Sequence, residues 1–351
     1  MTIKTQIVIL RIEMSTDPQN PSINGATVIF HWHGKIPPYV SGDFNQWDEL
    51  NGLEFKQVKP LVWQAELNLP RNAYMEYAFF RDGNRIPDPL NRRSLSNGVG
   101  SRNHYFYMPE ATPSPYAQLH RKMGTLIESQ ISDSRGLIGG KRKVYFYQPA
   151  ASGPMPLLVV LDGSDYLRRG RILQIVDSLI AAGKIRPVAL AMIENAGSGR
   201  FVEYACNDAF VFIMENRLIP VACGQLPVID PRKEPGSWGI LGASMGGTMA
   251  MFSGLRAPHI FSTVLAQSSA FSTPFADFTI IPLIKSLKPA FNVWMDVGTF
   301  DFLLEDNRRV LPLLRQAGYS VGYSEGCGGH NFTYWRNALP AGLQYLYPPL
   351  D

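Results

Sequence analysis

Hydrophobic and polar positions change their pattern about a third of the way along the chain. Up to residue 108, apolar or alternating runs are short and lack helical periodicity, which is typical of β-strands in a sandwich. An Asp-Gly pair follows one run directly and predicts a tight hairpin, since that turn needs positive φ. The runs lie at residues 27–32, 39–40, 61–67, 74–80 and 104–108, and a first strand is expected at 7–10.

The remainder alternates buried apolar runs with segments of helical period. This alternation predicts a mainly parallel, doubly wound sheet with helices on both faces. Functional residues in such a sheet lie beyond the carboxyl ends of its strands. The predicted strands are 144–147, 157–161, 188–193, 240–241, 264–266, 293–297 and 321–324, and the predicted helices are 172–180, 207–221, 303–317 and 332–345.

A proline-rich, polar segment at 109–119 separates the two patterns and reads as a stiff linker. We therefore predict an all-β domain over residues 1–108 and an α/β catalytic domain over residues 120–351. Two domains also suit a chain of 351 residues.

Composition narrows the class of protein. With 45% hydrophobic and 18% charged residues, the chain resembles a soluble globular protein. No apolar run approaches the roughly 20 residues of a membrane helix. The start of the chain lacks an apolar stretch of about 7–15 residues before a cleavage site, so we expect a cytoplasmic location.

The net charge and the cysteine content argue against several classes of partner and of structural site. The net charge of +4, without a long Lys/Arg block, does not indicate a nucleic-acid or membrane partner and fits an anionic ligand weakly. The three cysteines are odd in number and none lies in a C-x-x-C pair, which argues against a disulfide framework or a zinc site.

Residues 242–246 read GASMG, between an apolar run and a helix-like segment. This arrangement fits the G-x-S-x-G nucleophile elbow, in which Ser244 occupies a strained strand-to-helix turn. Glycines two residues to either side avoid collisions at that turn. The pattern predicts that Ser244 is a catalytic nucleophile; the alternative is a glycine-rich helix start with an idle serine.

A serine nucleophile needs a base and an acid. His330 follows the last predicted strand, where this fold carries its base; the alternative is a loop histidine bonded to backbone. Asp301 follows the strand at 293–297 and would orient the imidazole, or would merely cap the next helix. Glu305 and Asp306 are rival acids, although their helical positions should point them away.

The tetrahedral oxyanion requires hydrogen-bond donors. One candidate is the backbone N–H of Met245. The second comes from the loop after the strand at 157–161, where Gly163 or Ser164 would supply a backbone N–H. Loops 165–171 and 195–205 are expected to shape the substrate pocket.

Taken together, these motifs resemble the enterochelin (ferric enterobactin) esterase-like proteins of the esterase D branch of the α/β-hydrolases. Their joint order and spacing carry the resemblance from about residue 120 onward. The motifs are LDG at 161–163, RFVEYACN at 200–207, GASMGG at 242–247, QSS at 267–269, GTFD at 298–301 with LLE at 303–305 and Asn307, and GGHNF at 328–332 with Trp335.

The resemblance implies a serine ester hydrolase with neither a metal nor an organic cofactor. It makes Arg200 a candidate for holding an anionic group of the substrate, and it adds Trp335 to the candidate substrate-binding residues. A structural ion pair between Arg200 and Glu203 is the alternative role for this arginine.

The first part of the chain resembles the early-set immunoglobulin-like domains, including glycogen-binding modules. The similarity rests on GDFNQW at 42–47, YAFFRDG at 77–83, Asp88-Pro89 and Asn103. Glycan-binding members carry a lysine near Ala78 and a second tryptophan near Arg85, and this chain has neither. Trp47 is therefore predicted to pack rather than bind glucan. Esterases of the family that the second part resembles carry such an N-terminal domain too, and this resemblance implies that the domain leans over the catalytic mouth and shapes the substrate pocket.

The expected function is hydrolysis of a small-molecule ester, such as a siderophore trilactone, through a Ser-His-Asp triad and an acyl-enzyme. One alternative is a carbohydrate esterase that removes feruloyl or acetyl groups. Another alternative is a glucan-binding or scaffold protein whose hydrolase half is catalytically inactive. The oligomeric state, a homodimer included, stays open.

Overall fold

A computed structural model describes residues 19–118, 124–132, 140–272, 274, 276–286 and 291–350. The strand expected at 7–10 lies outside the described residues. The described part of the chain contains three β-sheets, two in the N-terminal third and one in the remainder.

The N-terminal part forms two antiparallel sheets around a common apolar core. The sheet orders are β1-β2-β6-β5 and β4-β3-β7-β10-β9, with β8 paired to β7. Phe30 lies between the sheets and packs edge-on against Tyr77, with ring centroids 4.8 Å apart. The strands are β1 Ser22–Asn24, β2 Thr27–His33, β3 Tyr39–Gly42, β4 Leu53–Glu54, β5 Lys56–Lys59, β6 Val62–Asn68, β7 Tyr74–Arg81, β8 Asn84–Ile86, β9 Ser94–Ser96 and β10 Arg102–Tyr107.

The hairpin predicted from Asp-Gly is confirmed. Asp82 and Gly83 join β7 to β8 with φ of 49° and 72°. Both residues occupy the left-handed region that such a two-residue turn requires.

The third sheet has eight strands in the order β11-β12-β14-β13-β15-β16-β17-β18. From β14 onward neighbouring strands are parallel. β12 is antiparallel to both of its neighbours, β11 and β14. The strands are β11 Thr125–Ser132, β12 Lys141–Gln148, β13 Leu157–Val160, β14 Ala189–Ile193, β15 Trp238–Ala243, β16 Thr263–Gln267, β17 Asn292–Gly298 and β18 Val321–Gly326.

Helices cover both faces of this sheet, and each face has its own apolar core. The helix predicted at 207–221 is present, with a π-helical turn at Met214–Leu218 in its middle. A second π-helical turn is Ala276–Ile280. The α-helices are α1 Gly163–Arg168, α2 Ile172–Ala181, α3 Arg200–Tyr204, α4 Asp208–Ile213, α5 Ile219–Gln225, α6 Met245–Arg256, α7 Ile281–Ser286, α8 Leu304–Gln316 and α9 Phe332–Leu346.

The segment that follows β10 packs against the second half of the chain. The backbone N–H of Ser114 donates to the Asn337 side chain at 3.1 Å, and Arg171 donates to the carbonyl of Ala117 at 2.9 Å. Among the described helices, none is both long and apolar enough to cross a membrane.

Candidate active site

Ser244 stands on a sharp turn between β15 and α6. Its φ of 58° and ψ of −126° are strained for a residue with a side chain, and its N–H donates to the carbonyl of Gln267 at 2.9 Å. A Cβ on Gly242 would overlap the backbone of Gly246, which explains the glycine two residues before the serine. The local geometry is that of the predicted nucleophile elbow.

His330 bridges this serine and a buried acid. Its Nε2 lies 3.0 Å from Ser244 Oγ, and its Nδ1 lies 3.0 Å from each carboxylate oxygen of Asp301. The imidazole is held between Phe302, at a ring-centroid distance of 4.5 Å, and Trp335, at 5.0 Å. The three predicted residues follow β15, β17 and β18, whose carboxyl ends meet at one edge of the sheet.

Asp301 lies beside His330 and near the start of α8, but the N-terminal cap of that helix is Leu303. Asp301 is fully buried, and Oδ1 also accepts a hydrogen bond from the Leu303 N–H at 2.9 Å, close to the start of α8. Glu305 and Asp306 lie in the first turn of that helix. The Glu305 side chain is 79% exposed and pairs with Arg308, so it does not approach His330.

The predicted oxyanion donors lie at two neighbouring helix N-termini. Met245 is the first residue of α6. Gly163 and Ser164 are the first two residues of α1, which follows β13, and β13 is the neighbour of β15 in the sheet. The first N–H groups of a helix have no acceptor within it, so they are free to face an anion. A Cβ on Gly163 would also lie 3.1 Å from the Ile193 backbone nitrogen, so glycine lets α1 pack closely on β14.

A cavity of about 440 Å³ opens over Ser244 and His330. Loops 165–171 and 195–205 contribute to it, as expected. Three residues come from the N-terminal part, in the loop between β9 and β10. The lining residues are Asn97, Gly98, Val99, Asp162, Asp165, Arg169, Asn195, Gly197, Arg200, Ser244, His330, Asn331, Phe332 and Trp335.

Residues 135–346 match the model of a family described as putative esterases. The chain belongs to this esterase family. It is 26% identical over 359 residues to the iron(III) enterobactin esterase of Dickeya dadantii (strain 3937), a match that covers 95% of this chain and 80% of that protein. The predicted resemblance to the enterochelin esterase-like hydrolases is confirmed, and the protein is a carboxylic ester hydrolase.

Solved structures share the fold of this esterase along most of the chain. The ferric enterobactin esterase from Salmonella typhimurium superposes with a TM-score of 0.78 at 21% identity, covering 91% of this chain and 93% of that one. The enterobactin esterase from Shigella flexneri, crystallised in the presence of enterobactin, has a TM-score of 0.76 at 20% identity over 91% and 92% of the two chains.

Arg200 lines the cavity of the esterase and pairs with an acid that the sequence did not single out. Its Nε and Nη2 donate to the two carboxylate oxygens of Asp162 at 2.8 and 2.7 Å, and Asn195 donates to the same carboxylate. The expected alternative, an ion pair with Glu203, is wrong, because Glu203 pairs with Arg142 at 2.7 Å. Burial lowers the pKa of Arg200, but the hydrogen bonds and charge of Asp162, together with the nearby Tyr204 and Asp165, outweigh burial and raise it.

Trp335 packs behind the imidazole of His330. It is 6% exposed, and its Nε1 donates to Ser268 Oγ at 2.9 Å. Its carbonyl accepts from Gln267 Nε2, which donates equally to Asp296. Only a small part of the indole therefore reaches the cavity, and a substrate-binding role for Trp335 stays a prediction.

Asp296 is a fully buried carboxylate close to Asp301. Burial raises its pKa to about 7, although hydrogen bonds from Trp294 and Gln267 oppose that rise. The raised pKa favours the neutral form of Asp296. A protonated group beside Asp301 adds no second negative charge to the pair.

The described residues contain no group of three His, Cys, Asp or Glu side chains that could hold a metal ion. The cysteines Cys206, Cys223 and Cys327 are free thiols.

Proposed function

We propose that this esterase hydrolyses its substrate through Ser244, His330 and Asp301 by way of an acyl-enzyme. The proposal is supported by a continuous series of contacts. Ser244 Oγ contacts Nε2 of the His330 imidazole, and Nδ1 of the same ring contacts the buried Asp301 carboxylate. Nucleophile, base and orienting acid within bonding distance are the requirements for activating a serine hydroxyl.

In the first step, Ser244 Oγ attacks the ester carbonyl carbon while His330 Nε2 takes the hydroxyl proton. The carbonyl oxygen becomes an oxyanion, which accepts hydrogen bonds from the Met245 N–H and from the N–H of Gly163 or Ser164. Collapse of the intermediate breaks the bond to the leaving alcohol, and His330 returns its proton to that alcohol. Asp301 remains ionised and stabilises the imidazolium.

In the second step, a water molecule attacks the acyl-serine. His330 takes a proton from the water, and a second tetrahedral oxyanion forms at the same donors. Release of the carboxylic acid regenerates the Ser244 hydroxyl, to which His330 returns the proton.

For the substrate we propose a siderophore with ester linkages. Relatives along nearly the whole chain are named iron(III) or ferric enterobactin esterases. Arg200 keeps Nη1 without a hydrogen bond to any described residue, so this donor is available to an anionic or carbonyl oxygen of a ligand. Ferric catecholates are anionic, which such a donor suits.

We further propose two domains, an immunoglobulin-like domain over residues 1–108 and an α/β-hydrolase domain over residues 120–351. The N-terminal domain would supply one wall of the substrate cavity through residues 97–99. A glucan-binding role is not favoured, because Arg85 stands over the Trp47 ring at 5.0 Å and occupies the face on which a sugar would stack.

The test is hydrolysis of a p-nitrophenyl short-chain ester by Ser244→Ala. We expect a loss of roughly 10⁴-fold or more, as for other serine triads. Ser286→Ala, at an exposed serine of α7, is the matched control and should keep full activity. Unchanged turnover in Ser244→Ala would remove the mechanism.

The substrate is decided by comparing ferric enterobactin with feruloyl sugars on the same preparations. Faster hydrolysis of ferric enterobactin supports the siderophore. A preference for feruloyl sugars would assign a carbohydrate esterase with the same triad. Retention on insoluble starch without any esterase activity would favour a glucan-binding protein.

A further inference from the structure

The loop that carries His330 is held by the N-terminal sheets as well as by its own domain. The Tyr74 N–H, at the start of β7, donates to the carbonyl of Cys327 at 3.1 Å. The side chains of Cys327 and Phe300 pack against the apolar core of the N-terminal sheets. Both Phe300, beside the catalytic acid, and Cys327, before the base, thus touch a distant part of the chain.

One N-terminal carboxylate lies at the centre of this contact. Asp43 is 1% exposed, and three donors surround it within the described residues. Oδ1 accepts from Trp47 Nε1 at 2.9 Å, while Oδ2 accepts from the Glu76 N–H at 2.8 Å and from Asn331 Nδ2 at 2.9 Å. Only the last partner belongs to the catalytic half of the chain.

Asp43 contacts the residues on both sides of the imidazole-bearing residue. A Cβ on Gly329 would overlap the Asp43 carboxyl group, so only glycine lets the loop lie this close. On the other side, Asn331 Nδ2 donates to Asp43 and Asn331 Oδ1 accepts from the Tyr334 N–H at 2.9 Å, which caps α9. The two bonds fix the Asn331 amide, and with it the backbone that carries His330.

A carboxylate at this place is costly for the fold. Burial and the nearby Glu76 raise the pKa of Asp43 well above its usual range, although the surrounding donors oppose the rise. Burying an acid beside another acid is unfavourable unless it is well hydrogen-bonded. Such a group, found where a distant element meets a catalytic loop, points to a function.

We propose that Asp43 is a positioning residue of the esterase reaction, which fixes the chain on both sides of His330 and so holds Nε2 against Ser244 Oγ. The inference rests on the proposed function, in which His330 is the base. The GDFNQW motif then serves catalysis in place of glycan binding, through its aspartate rather than its tryptophan.

Asp43→Asn tests this proposal, because an amide of the same size cannot accept from all three N–H groups. Asp88→Asn is the matched control. Asp88 is also buried in the N-terminal sheets and accepts from Tyr77 Oη at 2.6 Å and from Asn20, and none of its bonds reaches the catalytic half. Both variants should lower the melting temperature.

Only Asp43→Asn should lower kcat on a p-nitrophenyl short-chain ester. We expect a loss of about 10- to 100-fold, since misplacing a catalytic group by about 1 Å has effects of that size. KM should change by less than about threefold, because Asp43 does not line the cavity. If Asp43→Asn does not fold, Asn331→Asp is used instead, since it keeps the helix cap but sets a carboxylate against Asp43.

A second readout is the ¹⁵N-labelled imidazole of His330 observed by NMR. Its Nδ1–H resonance, bonded to Asp301, should shift or broaden in Asp43→Asn and stay unchanged in Asp88→Asn. Either an unchanged kcat or an unchanged His330 resonance would overturn the proposal. Should Ser244→Ala remain active, the triad would fall, and the His330 resonance alone would still decide whether Asp43 holds this side chain.

Discussion

Replacing Asp301 by asparagine tests the proposed triad at the group that sets the imidazole tautomer. The Leu303 N–H lies 2.9 Å from Oδ1, so the amide oxygen of an asparagine must occupy that position. The amide NH₂ then takes the place of Oδ2, which is 3.0 Å from His330 Nδ1. Nδ1 is equally close to Oδ1, so an Nδ1–H that bonds to the amide oxygen also meets the amide NH₂, whereas an unprotonated Nδ1 accepts a hydrogen bond from that NH₂.

The neutral imidazole is consequently shifted to the tautomer that carries its proton on Nε2 rather than on Nδ1. A protonated Nε2 cannot accept the proton of Ser244 Oγ, from which it is 3.0 Å away. Removing the base in this way should lower kcat by about 10³- to 10⁴-fold, or about 4 to 5.5 kcal/mol of the barrier.

The assay is kcat on a p-nitrophenyl short-chain ester, with melting temperature as a check on folding. Glu305→Gln and Asp306→Asn are the matched controls, since both were rival acids from the sequence. Glu305 forms an exposed ion pair with Arg308, and such pairs contribute about 0–1 kcal/mol, so its loss should leave kcat within about twofold. A kcat for Asp301→Asn within tenfold of wild type, or an equal loss in Glu305→Gln, would refute the reasoning.

Two further predictions concern stability. Gly242→Ala should lower the free energy of unfolding by about 1–3 kcal/mol or more, because its Cβ would overlap the Gly246 backbone. The control is Gly224→Ala, which has open space around it and should be neutral or stabilising. Equal denaturant midpoints for the two variants would contradict this prediction. For Asp296, the folded pKa of about 7 exceeds the unfolded value of 3.8, so the folded state binds more protons and wild-type stability falls as pH rises between these values. Between pH 5 and pH 8 this fall is at most about 2 to 3 kcal/mol, and Asp296→Asn should remove it. Urea unfolding at the two pH values measures the fall, and an unchanged pH dependence would count against the raised pKa.

Local patterns of the sequence were sufficient for most elements of the catalytic half. Strands buried on both faces read as continuous apolar runs, and helices follow a 3.6-residue period, so each could be recognised by itself. β11 was missed because it is an edge strand with only Ile131 fully buried, and its apolar run is correspondingly weak.

Chain order was sufficient to nominate Ser244, Asp301 and His330, since each follows a predicted parallel strand and such strands end at one edge of a sheet. Chain order could not predict which side chains from different loops pair with each other. Arg200 has an acid three residues away in Glu203, yet it pairs with Asp162, 38 positions distant, because the end of β13 meets α3 in space.

The sequence by itself thus determined most strands and the longer helices of the second half and the three residues nominated for catalysis, because burial and backbone strain act within a few residues of each position. Only the tertiary structure decided which charges pair, what lines the cavity, and that Asp43 reaches Asn331 across 288 residues. The physical reason is that a buried carboxylate takes whichever donors the packed fold brings to it, and separation along the chain does not encode that meeting.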